Sequence, residues 1–172
     1  WGAVEILTLT VGYDGIYGGV EGTWTAANGP YIITGDAYVW EYDSLTIEPG
    51  VEVLFSGQHN FNVRGYLYAV GTVTDSIVFH GLNTDHPGNW NGVDIGYNYN
   101  TPGPDATLSY FRIDGGGNQY YNPQAGLGIG DRKGNISISH GLLTNNGYHG
   151  IRVYSLDGTS TDSVFVTFSD IK

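Results

Sequence analysis

Leu108-Ser109-Tyr110-Phe111-Arg112-Ile113-Asp114-Gly115-Gly116-Gly117 and Ile138-Ser139-His140-Gly141-Leu142-Leu143-Thr144-Asn145-Asn146-Gly147 are two writings of one pattern. Val166-Thr167-Phe168-Ser169-Asp170-Ile171 begins a third. With Leu108-Ser109 laid over Ile138-Ser139 and Val166-Thr167, Ile113, Leu143 and Ile171 fall into register, and so do the polar and glycine runs that follow the first two. The offsets, 30 and 28 residues, suit one coil of a solenoid. Stacked coils would place equivalent aliphatic residues in columns at strand spacing, about 4.8 Å apart. A sandwich gives no reason for such a period.

Outward from this stretch the texture repeats. Ser44-Leu45-Thr46-Ile47, Val51 to Phe55, Phe61-Asn62-Val63, Tyr66-Leu67-Tyr68-Ala69, Ser76 to Phe79, Val93-Asp94-Ile95, Leu127-Gly128-Ile129 and Ile151-Arg152-Val153 are short and carry apolar groups at i and i+2. That is the period of a strand with one buried face. Turn residues punctuate them, among them Pro49-Gly50, Gly57, Gly65, Gly71 and Asn145-Asn146-Gly147. Residues 1–22 differ: an apolar run from Ala3 to Val11 precedes a glycine-rich stretch. They are expected to form a capping strand or a linker, with the solenoid over 23–172. Val164 to Lys172 starts another coil without a polar cap, which leads us to expect that the natural chain continues or that its open end is covered by another subunit.

Composition agrees with an all-β chain. The 172 residues include 28 Gly, 14% aromatic, 40% hydrophobic and only 13% charged residues. This suits many short strands joined by tight turns, and argues against disorder. Seventeen acidic residues against six basic ones give a net charge of −11. Nucleic acids and anionic membrane surfaces are disfavoured, since both are bound through Lys and Arg. With no Cys there is neither a disulfide framework nor a thiolate metal site. No apolar run approaches the length of a membrane span. The chain begins at Trp1 and holds no Met, and so reads as starting downstream of a signal peptide or as a piece of something longer.

The span from Gly22 to Ile95 resembles the right-handed parallel β-helix repeat modules of bacterial secreted and cell-surface proteins. The residues that carry the likeness are Thr23-Trp24-Thr25, Gly29 to Asp36, Leu45 to Phe55, Val63 to Thr72, Asp75 to Phe79 and Asn89 to Val93. The resemblance implies an all-β, right-handed parallel β-helix outside the cell or on its surface. The motif residues have structural readings of their own. Pro49-Gly50 turns the chain, Gly65 and Gly71 occupy crowded corners, and Trp90 is expected over a coil edge with its ring nitrogen near solvent.

β-Helix folds also host glycan lyases, hydrolases and epimerases. The densest ionisable cluster is Asp131-Arg132-Lys133 with His140, and His149 and Arg152 nearby. A base and a guanidinium in such a cluster could abstract the proton beside a uronate carboxylate. The plainer reading is a polar turn between the strands at Leu127 and Ile136. A hydrolase needs two carboxylates flanking a cleft, for which Asp94 and Asp114 on neighbouring coils are the candidates. The five His residues show no metal-binding helical pair, and no calcium loop is present. The expectation is no cofactor, with isolated structural Ca²⁺ left open. Tyr97, Tyr99, Tyr120 and Tyr121 lie in loops beside Asn and Gln, the composition of a glycan-binding or protein-binding surface. Rings folded back onto the coil are the alternative.

The expected function is therefore a non-catalytic, secreted or cell-surface structural and adhesive protein. It would present loops to glycan or protein partners, and would form homo-oligomers or filaments through open coil ends. The alternative is a polysaccharide lyase or another glycan-active β-helix.

Overall fold

A computed structural model describes residues 15–83, 86–96, 105–130, 134–153 and 164–167, the last as backbone. It is all-β, and every strand pairing is parallel. The chain runs β1 (Ile16–Gly19), β2 (Gly22–Trp24) and β3 (Tyr31–Val39), then β4 (Ser44–Ile47), β5 (Glu52–Phe55) and β6 (Asn60–Val63). β7 (Tyr66–Val70), β8 (Ile77–Gly81) and β9 (Gly92–Ile95) follow, then β10 (Ala106–Asp114) with β11 (Ala125–Ile129), β12 (Ile136–Thr144) with β13 (His149–Val153), and β14 (Val164–Thr167).

Three ladders are visited in rotation. The first joins β2, β4, β7, the front of β10, the front of β12 and β14. The second joins the front of β3, β5, β8 and the rear halves of β10 and β12. The third joins the rear of β3, β6, β9, β11 and β13. β1 pairs with both halves of β3.

The register read from sequence is the one observed. Leu108 pairs with Ile138 and Ser109 with Ser139, Ile113 with Leu143, and Ile138 with Val166. Ile171 lies outside the described residues.

Alternation builds the core. In the first ladder Leu45, Leu67, Ala106 and Ile136 form one inward column, and Ile47, Ala69, Leu108 and Ile138 another. Phe61, Val93 and Leu127 do the same in the third. Each buried Leu, Ile, Val or Phe contributes about 1.5–3 kcal/mol, and a one-residue slip would turn a whole column outward. Between the columns, Trp24 stacks on Tyr31 with ring centroids 4.5 Å apart, and Phe61 meets Phe79 at 5.9 Å.

Trp90 corrects an expectation. It is fully buried and stacked on Phe55 at 4.0 Å, and its indole nitrogen donates to the Asp114 carbonyl at 2.9 Å. The ring nitrogen meets backbone from the next coil rather than water, which is how an indole can be buried completely.

Corners set the remaining geometry. β10 and β12 pass from the first ladder to the second through single residues in the left-handed region, Tyr110 (φ 49°) and His140 (φ 52°). At the corner from third ladder to first the chain turns within Arg64-Gly65. A Cβ on Gly65 would lie 2.0 Å from the Trp40 carbonyl oxygen and 2.4 Å from that of Asp43, so only glycine fits.

Candidate functional site

His140 projects at the corner between the first and second ladders. Its ring stacks on Tyr110 with centroids 4.2 Å apart and planes 12° from parallel. Beneath them the Ser109 and Ser139 hydroxyls hydrogen-bond at 2.9 Å. Thr72, Val73, Ser76, Phe111, Arg112 and Leu142 complete the lining of an open groove of about 390 Å³. Arg112 already pairs with Asp114. The expected partners of His140, namely Asp131, Arg132 and Lys133, lie outside the described residues.

The two candidate carboxylates do not share a face. Asp94 is on the third ladder, buried to 6% exposure, where Pro123 lies over the neighbouring Gly128. Asp114 is on the second ladder, where Oδ1 accepts from the Asn145 amide at 2.8 Å. A two-carboxylate cleft is not formed by this pair.

Tyr120 and Tyr121 belong to the segment joining β10 to β11. Its backbone is pinned rather than projecting freely. Asn118 Oδ1 accepts from the Tyr120 amide at 2.9 Å, Gln124 donates to the Gln119 carbonyl at 2.7 Å, and Asn60 donates to the Asn122 carbonyl at 3.0 Å. The rings remain exposed, 78% for Tyr120 and 53% for Tyr121. Tyr97 and Tyr99 lie outside the described residues.

A larger aromatic surface wraps the corner between the third and first ladders. Tyr38, Trp40 and Tyr42 occupy alternate positions on one coil, and Arg64, Tyr66 and Tyr68 do so on the next. The pairings Tyr38 with Asn62 and Ser44 with Tyr66 set the two runs side by side. Tyr38 and Trp40 stack at 4.6 Å with planes 6° apart, and the Arg64 guanidinium carbon lies 5.3 Å and 5.2 Å from their centroids. The Tyr38 hydroxyl donates to Asp36 Oδ2 at 3.4 Å. Burial foremost, then the Asp36 charge and this hydrogen bond, push the phenol above its ordinary value, with Arg64 opposing. Tyr66 and Tyr68 continue into a groove of about 300 Å³ with Ser44, Thr46, Asp105 and Thr107.

No family model, curated protein or solved structure matches this chain. Its own geometry therefore carries the functional argument. Among the described residues no three His, Asp or Glu side chains group as a metal site would require. Among the described residues no helix is long and apolar enough to cross a membrane.

The belt at Tyr38 to Tyr68 escaped the reading of the sequence, which singled out tyrosines in loops. The signal was present in the strands: at 38, 40 and 42, and again at 66 and 68, the outward position of the alternation holds an aromatic ring where a polar side chain is usual.

Proposed function

We propose that the chain is a right-handed parallel β-helix, akin to the repeat modules of bacterial secreted and cell-surface proteins. It acts without catalysis, as a structural and adhesive element that displays an aromatic surface to extracellular glycans or proteins. The three-ladder rotation supports the fold, because a chain that returns to the same three parallel ladders in the same order winds as a helix of strands.

One observation carries the function. Eight tyrosine and tryptophan rings stand exposed on the described surface, while the core is closed by aliphatic and other aromatic residues. Exposed rings on a rigid frame give flat apolar contact area at small entropic cost. In the His140 groove, by contrast, the guanidinium is engaged by a carboxylate and the imidazole by a ring. Self-association belongs to the same reading: β13 and β14 each have one ladder partner among the described residues, and a second copy can extend a parallel ladder.

The test is co-sedimentation with a panel of insoluble polysaccharides and immobilised matrix proteins, with reducing and unsaturated sugar ends assayed in the supernatant. The expected result is retention without release of new ends. Turnover of any polysaccharide, or retention by none of the panel, overturns the reading.

A further inference from the structure

The belt around Arg64 has features that narrow its ligand. Its exposed rings, Trp40 at 42%, Tyr42 at 87%, Tyr66 at 52% and Tyr68 at 58%, stand on two runs that the pairings of Tyr38 with Asn62 and Ser44 with Tyr66 set side by side. Trp40 is held in place by its stack on Tyr38 and by Arg64, so the platform is organised before any ligand arrives. Tyr66 and Tyr68 stand on a strand two residues apart, their backbone fixed on both sides by ladders to β4 and β10.

Arg64 is the second feature. The ion pairs His80–Glu52 and Arg112–Asp114 lie elsewhere. The Arg64 Nε is buried with no hydrogen-bond acceptor, a costly arrangement of about 1–3 kcal/mol for a polar group. Among the described residues the guanidinium lies over the Tyr38 and Trp40 rings and opposite no carboxylate, which leaves donors for an acceptor on a ligand.

Charge then selects the class. Asp36 accepts from the Tyr38 hydroxyl, Asp105 lines the groove of Tyr66 and Tyr68, Glu41 and Asp43 alternate in sequence with Trp40 and Tyr42, and the whole chain carries −11. An acidic polymer would be repelled. A cationic ligand would have to displace Arg64 from the ring faces it already occupies. A neutral sugar fits both requirements. Its C–H face lies on Trp40, Tyr66 or Tyr68, while its hydroxyls donate to carboxylates and accept from Arg64, Ser44 and Thr46.

We propose that this corner is a binding site for a neutral hexopyranose chain, running across two coils with Trp40 and Tyr66 as its stacking platforms. The proposal rests on the adhesive reading above and adds a location and a ligand class to it.

The experiment is titration of the intact chain with cello-, manno- and xylo-hexaose, with polygalacturonate as the acidic comparator, followed by calorimetry and tryptophan fluorescence. Of the described tryptophans, Trp24 and Trp90 are buried and Trp40 is exposed, so a saccharide-dependent change in emission that disappears in Trp40→Phe reports contact at the belt. The expected result is binding of at least one neutral hexaose, weakened about 10-fold or more by Trp40→Ala or Tyr66→Ala and unchanged by Leu82→Ala, at an exposed residue outside the belt. Circular dichroism checks that each variant is folded. Tyr42→Ala, at a ring almost free of contacts, supplies a weakening variant that cannot unfold the chain. Stronger binding of polygalacturonate, or neutral binding indifferent to all three belt variants, overturns the proposal and leaves the adhesive reading standing. Failure of every hexaose removes the proposal, and failure of every glycan and matrix protein in the co-sedimentation panel removes the adhesive reading with it.

Discussion

Removing the Trp90 side chain strips the stack on Phe55 and the donor that meets the Asp114 carbonyl, both in a fully buried place. Trp90→Ala should lower stability by about 3–5 kcal/mol, and Trp90→Phe by less, since a ring remains. Urea denaturation measures both; equal losses would mean that the hydrogen bond and not the packing dominates. Tyr38 makes a prediction in pH. Its phenol is raised above the ordinary tyrosine value of about 10, so the folded chain keeps a proton that the unfolded chain releases. The stabilisation is fully present below the unfolded value and is lost as pH climbs through the folded one. Tyr38→Phe abolishes this contribution, so between about pH 9 and 11 the wild-type midpoint should fall more steeply than that of the variant. Parallel profiles would contradict the assigned environment. Trp90 also shows where residue-level reading stops. Asn89-Trp90-Asn91 looks like a polar edge because its flanks are polar, yet the acceptor for the indole lies 24 residues away in sequence.

At the level of elements, the hydrophobic alternation and the 30-residue offset between Ser109 and Ser139 fixed the pairing of β10 with β12, because one shifted residue would turn each inward column to solvent. The face of β7 was harder. In Tyr66-Leu67-Tyr68-Ala69 either alternate set could be buried, since Tyr is both apolar and polar; the ladder with Leu45 and Ile47 on one side and Ala106 and Leu108 on the other decides for Leu67 and Ala69. The aromatic belt was therefore hidden by the same ambiguity. Corners were legible where glycine marks them. Gly65→Ala sets a methyl group against two backbone oxygens, which cannot yield as side chains do. It should cost about 3 kcal/mol, at the upper end of overpacking penalties, and splay Trp40 from Arg64. Gly150→Ala, with only the Leu143 Cβ at 3.9 Å, should be nearly neutral. Comparable losses in the two variants would contradict the close approach.

Across the described residues every strand pairs in parallel, and the chain rejoins the same three ladders in turn. Its proposed self-association predicts particles that lengthen with concentration, visible by light scattering and negative-stain microscopy of the same sample. Separate monomers at every concentration would end that part of the proposal. The all-β architecture with parallel ladders was legible because the alternation repeats: the same small decision is written many times, and an error in one strand is corrected by the next. Ligand class was not, because it depends on which outward positions meet around a corner, and that is decided by turns of unequal length. The first ladder is rejoined at Leu67 after Leu45, but only at Ala106 after Leu67.

The parallel sense of all three ladders has a mechanical consequence. Their interstrand hydrogen bonds all point along one axis, from coil to coil. Tension along that axis opens the ladders together at one interface and then at the next, so the chain would lengthen in steps. Tension across it must drag whole strands past both neighbours at once. A chain built this way is compliant in one direction and stiff in the other two, and the direction of a load decides which of these it encounters.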